Sequence, residues 1–152
     1  MEVCAPAATG RHVRLRFTTD RRTQFIDITD EVEGFVAASG IEFGLVNIQS
    51  LHTTTAIVLN EHEPLLLSDF CTLLSRAAPR AAWYRHDDFD VRTVNMTPDE
   101  RANGHAHCRA LLLGPSAALN VADGRLQRGR WQRIFLVELD GPREREVSVL
   151  VR

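Results

Sequence analysis

The sequence contains no lysine, so its 18 Lys and Arg residues are all arginine. A lysine Schiff base and a P-loop lysine are therefore excluded. Any phosphate or carboxylate that the protein binds must be held by arginine, by histidine or by backbone amides. The chain also lacks the Gly-x-Ser-x-Gly, His-Glu-x-x-His, Cys-x-x-Cys and Rossmann glycine motifs, which removes the most easily recognised catalytic and cofactor sites.

Cysteine is scarce, and long apolar runs are missing. Cys4, Cys71 and Cys108 are an odd number at unrelated spacings, which argues against a disulfide framework and for a reducing compartment. We expect Cys71 to pack as a small hydrophobe. Cys108 has three interpretations, a buried thiol, a thiolate or a metal ligand, and the first is the default. No apolar run approaches the roughly 20 residues that cross a bilayer, and no secretory signal pattern is present. We therefore expect a cytoplasmic protein without a membrane partner.

The charge balance is nearly neutral. A net charge of -2 gives no electrostatic reason to expect nucleic acid as a partner. Hydrophobic residues make up 44% of the chain and charged residues 25%, which is typical of a folded globular protein. With 152 residues, the sequence predicts a loose N-terminus over residues 1–10 and a single domain over residues 11–152.

Alternating and continuous apolar residues predict a series of β-strands along the chain. The predicted strands cover residues 12–18, 23–28, 42–49, 56–59, 117–122, 134–139 and 144–151. Asp123-Gly124 is a strong hairpin signal, and Asp140-Gly141-Pro142-Arg143 predicts a further turn. Hairpins dominate the second half, which indicates an α+β fold: a largely antiparallel β-sandwich with two or three flanking helices.

Capping residues and a 3.6-residue apolar period predict two helices. Thr29 is expected to cap the first, which ends at Gly40 and buries Val32, Phe35 and Val36. Pro64 suits the first position of the second helix, which ends before Pro79. The expected buried stripe of that helix consists of Leu66, Leu67, Phe70, Leu73, Leu74 and Ala77.

A further short element carries the most distinctive polar residues. We interpret residues 105–113 as a short helix or helical turn, with Asn103 as its N-cap and Gly114 as its terminator. His105 and His107 would then lie near the positive helix N-terminus, where anions are favoured. If the segment is a strand, the two imidazoles share one face in the His-x-His arrangement that binds metals.

Other polar residues have competing interpretations. His86 is the preferred third metal ligand because it precedes a run of carboxylates, and His52 is the alternative. The Thr-rich turn after His52 can form an anion nest, or reflect β-propensity alone. An Asp140–Arg143 pair fits a purely structural turn, and Arg145 is expected at the surface.

Taken together, the motifs of this chain resemble the YjbQ-type family, also called the secondary thiamine-phosphate synthase family. The resemblance extends from about residue 17 to about residue 151. The matching motifs are His52-Thr53-Thr54, Asn60-Glu61, Asp69, His86, Asn103-Gly104-His105-Ala106-His107, Gly114-Pro115-Ser116, Gly124, Gly129-x-Trp131-Gln132, Glu138 and Asp140-Gly141-Pro142-Arg143. Cys108 stands where the family usually has an aliphatic residue.

The resemblance implies a homotrimer with a histidine-rich site, and an activity that joins a pyrimidine diphosphate to a thiazole phosphate. Such a reaction normally uses a divalent cation, zinc or magnesium here, and the ligand class is a small phosphorylated molecule. The implied metal ligands are His86, His105 and His107. The implied catalytic residues are His52, Glu61 and Asp140, and the implied substrate-binding residues are Thr54, Asn103, Ser116 and Arg143.

Two other functions compete with this one. A metal-dependent hydrolase predicts a tetrahedral metal held by three protein groups with an open water position. A non-catalytic trimeric binding protein predicts fully hydrogen-bonded histidines and no cleft.

Overall fold

A computed structural model describes residues 11–152, so the predicted loose terminus and Cys4 lie outside the described residues. The strands are β1 Arg11–Thr18, β2 Gln24–Asp27, β3 Gly44–Ser50, β4 Thr55–Glu61, β5 Ser116–Ala122, β6 Arg125–Leu126, β7 Gln132–Glu138 and β8 Glu144–Val151. The α-helices are α1 Thr29–Ser39, α2 Pro64–Ala77 and α3 Gly104–Leu113, and a 3-10 turn covers Arg85–Asp87.

The strands form two antiparallel sheets, which confirms the predicted α+β class. One sheet has five strands in the order β1-β8-β3-β5-β6, and the other has three in the order β2-β7-β4. The Asp123-Gly124 hairpin is also confirmed, since both residues have positive φ (53° and 70°) between β5 and β6.

The core lies on both faces of the three-stranded sheet. Its inner face packs with α1 and the five-stranded sheet around residues such as Ile48, Leu136 and Val149. Its outer face packs against α2 and α3 through Phe135, Val137 and Ala106. Strand β7 is therefore covered on both sides, which explains its nearly continuous apolar sequence.

Helix α1 lies where predicted and ends at Gly40 with φ 71°, but its cap differs from the prediction. Asp27, rather than Thr29, supplies the capping oxygen. The Asp27 carboxylate accepts hydrogen bonds from the backbone N–H of Thr29 at 3.0 Å and from its hydroxyl at 2.6 Å. The Thr29 hydroxyl in turn accepts a bond from Ile134 N at 2.8 Å, which ties α1 to β7.

Helix α2 begins at Pro64 as predicted, but the expected stripe is only partly buried. Leu74 is fully buried, and Leu66, Leu67 and Phe70 are half-buried. Leu73 is 63% exposed, and Ala77 is also exposed. The 3.6-residue apolar period could not predict how deeply α2 is buried, because it shows which face of the helix is apolar but not what packs against that face.

Helix α3 settles the ambiguous segment as a helix, so the alternative strand is wrong. Asn103 occupies the N-cap position, but its side chain makes no capping bond. Asp87 provides the cap instead, accepting hydrogen bonds from Asn103 N at 2.9 Å and from Gly104 N at 2.8 Å. This contact fixes the 3-10 turn, which carries His86, against the beginning of α3.

Both cysteines within the described chain, Cys71 and Cys108, are exposed free thiols, so the expectation of burial is wrong for each. Across residues 11–152, no helix is long and apolar enough to cross a membrane.

Candidate functional site

A polar cavity of about 470 Å³ lies where the β3–β4 connection, the 3-10 turn, α3 and the β7–β8 turn meet. We call it the histidine cleft. Its lining residues are Leu51, His52, Thr53, Thr54, His86, Arg92, Asn95, Glu100, Asn103, His107, Asp140, Arg143 and Arg145. Seven of the ten site residues predicted from the sequence therefore lie together at one place.

Two imidazole rings pack edge to face in this cleft. The rings of His86 and His107 have centroids 4.5 Å apart and an interplanar angle of 66°. Burial, and then the neighbouring His86, lower the pKa of His107, so its imidazole is neutral at pH 7. Nε2 of His86 is buried and has no hydrogen-bond partner among residues 11–152.

Asn103 contributes a second unpartnered atom. Its amide nitrogen donates to Asp140 Oδ2 at 3.1 Å, which leaves Oδ1 as an acceptor. That oxygen is buried and accepts no hydrogen bond from any residue of the described chain, 11–152. Because unsatisfied buried polar atoms are rare and costly, His86 Nε2 and Asn103 Oδ1 are two polar atoms of the cleft lining that a ligand could bind.

His52 is held in a fixed orientation. Its Nε2 accepts a hydrogen bond from the backbone N–H of Glu146 at 2.8 Å. Burial, and then the Arg145 guanidinium, lower the pKa of His52. With Nε2 used as an acceptor, the neutral ring carries its proton on Nδ1. His52 is therefore suited to donate a hydrogen bond rather than to ligate a metal through Nε2.

Asp140 joins the cleft to its surroundings. Oδ2 lies 2.9 Å from Arg143 NH2, and Oδ1 lies 3.2 Å from Arg101 Nε. The Asp140–Arg143 pair expected from the turn is thus present. With Asn103 also bound, these contacts favour an orienting role for Asp140 over a role as a base.

A buried ion pair supports the floor of the cleft. Arg145 is 4% exposed, so its predicted surface position is wrong. It binds Glu138 through two hydrogen bonds, of 2.7 Å and 2.6 Å, and donates to the Thr54 hydroxyl at 3.0 Å. Burial alone would raise the pKa of Glu138, but the bonds from Arg145 outweigh it and lower the pKa. The alternation of β8 puts Arg145 on its inward face, and this signal was available in the sequence.

The loop before α3 supplies residues that the sequence analysis missed. Arg92 binds Glu100 at 3.1 Å and the backbone oxygen of His86 at 3.3 Å. Its side chain is only 11% exposed. A loop without periodicity gave no indication that Arg92, Asn95 and Glu100 would line the cleft.

Three predicted site residues lie elsewhere. His105 points into a different cavity, because residues two apart on a helix face nearly opposite directions. Ser116 is exposed at the start of β5 and does not line the cleft. Glu61 is at the far end of β4, in a surface groove with Trp131. Of the three predicted metal-binding histidines, His86 and His107 are therefore adjacent, whereas His105 is separate. Within residues 11–152, no three His, Cys, Asp or Glu side chains are grouped to hold a metal ion.

The antiparallel two-sheet α+β fold agrees with comparisons to known proteins. The family described as UPF0047 protein YjbQ-like matches residues 13–152, and the chain belongs to this family. A UPF0047 protein of Methanothermobacter thermautotrophicus is 42% identical, over 90% of this chain and 88% of its own. One from Archaeoglobus fulgidus is 40% identical, over 90% of this chain and 98% of its own.

Solved structures have the same fold. A YbjQ-like protein of Sulfolobus solfataricus superimposes with a TM-score of 0.84 at 38% identity, covering 93% of this chain and 96% of its own. A protein of Aeropyrum pernix gives a TM-score of 0.83 at 34% identity, covering 93% of this chain and 98% of its own.

Proposed function

We propose that the histidine cleft binds a small phosphorylated molecule together with a divalent metal ion, and that the protein is a transferase of the thiamine-phosphate synthase type. One observation carries the proposal: His86 Nε2 and Asn103 Oδ1 are buried, unpartnered and part of the same cleft. An unsatisfied buried polar atom costs about 1–3 kcal/mol, and a bound group that interacts with both atoms would remove that cost.

The chemistry of these atoms favours a zinc ion over magnesium, because imidazole nitrogens suit zinc whereas magnesium prefers oxygen ligands. His86 and Asn103 offer lone pairs, and His107 adds a neutral imidazole beside His86. Magnesium would bind mainly through Asn103, water and substrate oxygens. Either metal would neutralise charge on the diphosphate. This arrangement is preferred over a hydrolase-type zinc site built only from His, Cys, Asp and Glu, because residues 11–152 group no three such side chains.

The remaining groups suit an anionic substrate. Arg143 is 43% exposed and retains donor capacity beyond its pair with Asp140. His52 can donate from Nδ1. In the proposed reaction the thiazole nitrogen attacks the methylene carbon of the pyrimidine diphosphate, the C–O bond breaks, and pyrophosphate leaves with the bonding electrons. The cleft therefore has to bind anions and exclude water, and this step requires no base.

A more apolar groove of about 540 Å³ also borders His52 and His107. Leu51, Ala110 and Pro115 line it beside the histidines. Such a surface suits the flat rings of the two precursors better than it suits an ionic ligand. The groove therefore supports a substrate that combines a phosphate group with a heteroaromatic ring.

The proposal includes assembly as a homotrimer in the cytoplasm. Large apolar side chains are exposed on several elements, among them Leu65, Leu73, Trp83, Leu111, Leu112 and Trp131. An assembly would cover part of this surface. The free thiols are in keeping with a reducing compartment.

The direct test is turnover of the pyrimidine diphosphate and thiazole phosphate with magnesium or zinc, followed by mass spectrometry of the joined product. Asn103→Ala should lower the rate at least about tenfold, because it removes a proposed ligand and the contact to Asp140. Ser116→Ala, outside the cleft, is the matched control and should stay within about twofold of wild type. If the wild type forms no product with magnesium and none with zinc, the proposed activity is refuted. Equal losses of rate in Asn103→Ala and Ser116→Ala would refute its assignment to the histidine cleft.

A further inference from the structure

A second polar cavity, of about 270 Å³, shares only Asp140 with the histidine cleft. We call it the arginine pocket. Its polar lining consists of Arg22, Arg80, Arg101, His105 and Asp140, with Ala102 and Leu139 completing the wall. These residues come from the β1–β2 turn, the segment after α2, the start of α3 and the end of β7. Segments far apart in the sequence therefore converge to build one concave site.

The pocket has an excess of positive charge. Its one carboxylate, Asp140, is shared between Arg101 at 3.2 Å and Arg143 at 2.9 Å, and Arg143 lies outside the pocket. Among the described residues 11–152, neither Arg22 nor Arg80 has a carboxylate within 4.0 Å. Two guanidinium groups are thus left uncompensated around a concave surface, which favours an anion there.

A buried arginine behind the pocket increases this excess. Arg109 is 6% exposed and, within the described chain, has no carboxylate within 4.0 Å. It donates to the backbone oxygen of Ala78 at 3.1 Å and to the Thr23 hydroxyl at 3.4 Å. Thr23 follows Arg22 directly and Ala78 is close to Arg80, so Arg109 also holds the two segments that carry the uncompensated arginines.

His105 adds a further polar group to the lining of the pocket. The residue is 6% exposed and lies in the first turn of α3. A protonated ring nitrogen of an imidazole donates a hydrogen bond and can complete the coordination of an oxyanion.

We propose that the arginine pocket is a second anion-binding site, separate from the histidine cleft, and that it binds a phosphate group. Three guanidinium forks and an imidazole can donate to several oxygens of a tetrahedral dianion, whereas a carboxylate offers only two oxygens. The volume of about 270 Å³ suits inorganic phosphate or the phosphate end of a small ester.

The test is calorimetric titration of inorganic phosphate into the full chain, with a chelator present so that no metal contributes. The variant Arg22→Gln/Arg80→Gln removes two exposed side chains that have no carboxylate partner among the described residues, so its fold should be retained. The matched control Arg76→Gln/Arg125→Gln loses the same charge at exposed positions outside the pocket. We expect one phosphate per wild-type chain and at least about tenfold weaker binding in the first variant only.

Further measurements distinguish a phosphoester from free phosphate as the ligand, and the arginine pocket from the histidine cleft as the binding site. Tighter binding of glycerol phosphate than of inorganic phosphate would identify a phosphoester as the ligand, and the reverse would identify the free ion. His107→Ala should leave the affinity unchanged, and phosphate should shift the ring resonances of His105 in NMR spectra. No binding at millimolar phosphate, equal losses in the two double variants, or loss in His107→Ala would overturn the proposal without bearing on turnover in the cleft.

Discussion

At the scale of single residues, Asp27 joins three elements through one carboxylate. It binds Arg133 of β7 at 2.7 Å, His62 after β4 at 2.9 Å and Thr29 at the start of α1. Burial alone would raise the pKa of Asp27, but hydrogen bonds from Arg133 and Thr29 outweigh it and lower the pKa to about 2. A carboxyl whose pKa is lowered by folding stabilises the fold above its unfolded pKa, and this contribution is lost as the pH falls.

We therefore predict that Asp27→Asn lowers the free energy of unfolding by about 2 kcal/mol at pH 7. The difference from wild type should shrink between about pH 4 and pH 2, as the wild-type carboxyl becomes protonated. Urea denaturation at several pH values measures both effects. Asp30→Asn is the control, because Asp30 contacts the same Arg133 at 2.9 Å but is 80% exposed, so its loss should cost less than about 0.5 kcal/mol. A loss for Asp27→Asn that does not change with pH would contradict this account.

The sequence identified most of the cleft but not which of its histidines act together. His86, His107, His52 and Asn103 could be selected because polar residues stand at the ends of apolar elements. His105 could be separated from His107 only once the segment was known to be a helix, since a strand would put both on one face. The alternation of β8 could have placed Arg145 on the inward face with Val147. Its partner Glu138 lies on another strand, and spacing along the chain does not show that pairing.

At the scale of elements, the contact between α3 and the 3-10 turn sets the position of His86 relative to His107. Gly104 allows this contact, because a Cβ atom there would lie 2.5 Å from Cβ of Tyr84. Asp87, in the same turn, caps α3. The close approach of the two segments therefore determines the geometry of the cleft.

We predict that Gly104→Ala destabilises the fold by about 1–3 kcal/mol through this overlap, and that it weakens metal binding by moving the 3-10 turn. Gly34→Ala provides the contrast, because a Cβ atom at that exposed position of α1 has nothing within 4 Å. It should raise stability by about 0.5–1 kcal/mol through helix propensity. Thermal unfolding measures the change in stability of both variants. A Gly104→Ala variant as stable as wild type would show that α3 and the 3-10 turn can separate without a cost in free energy.

Element types were predictable from the sequence because period and capping are local. Strands β1, β3, β7 and β8 and helices α1 and α2 lie close to their predicted positions. The caps of α1 and α3 were assigned to the wrong side chains, since Asp27 and Asp87 act from outside the expected positions. The burial of α2 was overestimated because period does not reveal what a face packs against.

At the scale of the whole molecule, hairpin signals predicted an antiparallel β-sandwich but not which strands form each of its two sheets. β8 pairs with both β1 and β3, and β7 pairs with both β2 and β4. These pairings join residues between 71 positions apart (Glu61 and Gln132) and 140 positions apart (Arg11 and Val151), and no local pattern specifies them. The proposed homotrimer is likewise a property of the whole surface, and its support is the exposed apolar side chains.

We predict that the protein sediments with three times its chain mass of 17.1 kDa. Leu111→Gln/Leu112→Gln should weaken the assembly, because both side chains are large, apolar and more than 60% exposed (85% and 65%). Glu31→Gln is a control at an exposed position of α1 and should leave the mass unchanged. A monomeric wild type at micromolar concentration would contradict the trimer but not the cleft.

The central claim is that His86 and His107, without His105, form the metal-binding part of the histidine cleft. The most direct test is titration of zinc and of magnesium into metal-free wild type and the single variants His86→Ala, His107→Ala and His105→Ala, with bound metal measured by elemental analysis after dialysis. We expect one metal ion per wild-type chain, retention in His105→Ala, and at least about tenfold weaker binding in His86→Ala and His107→Ala. A wild type that binds neither metal, or equal weakening in all three variants, would contradict the claim.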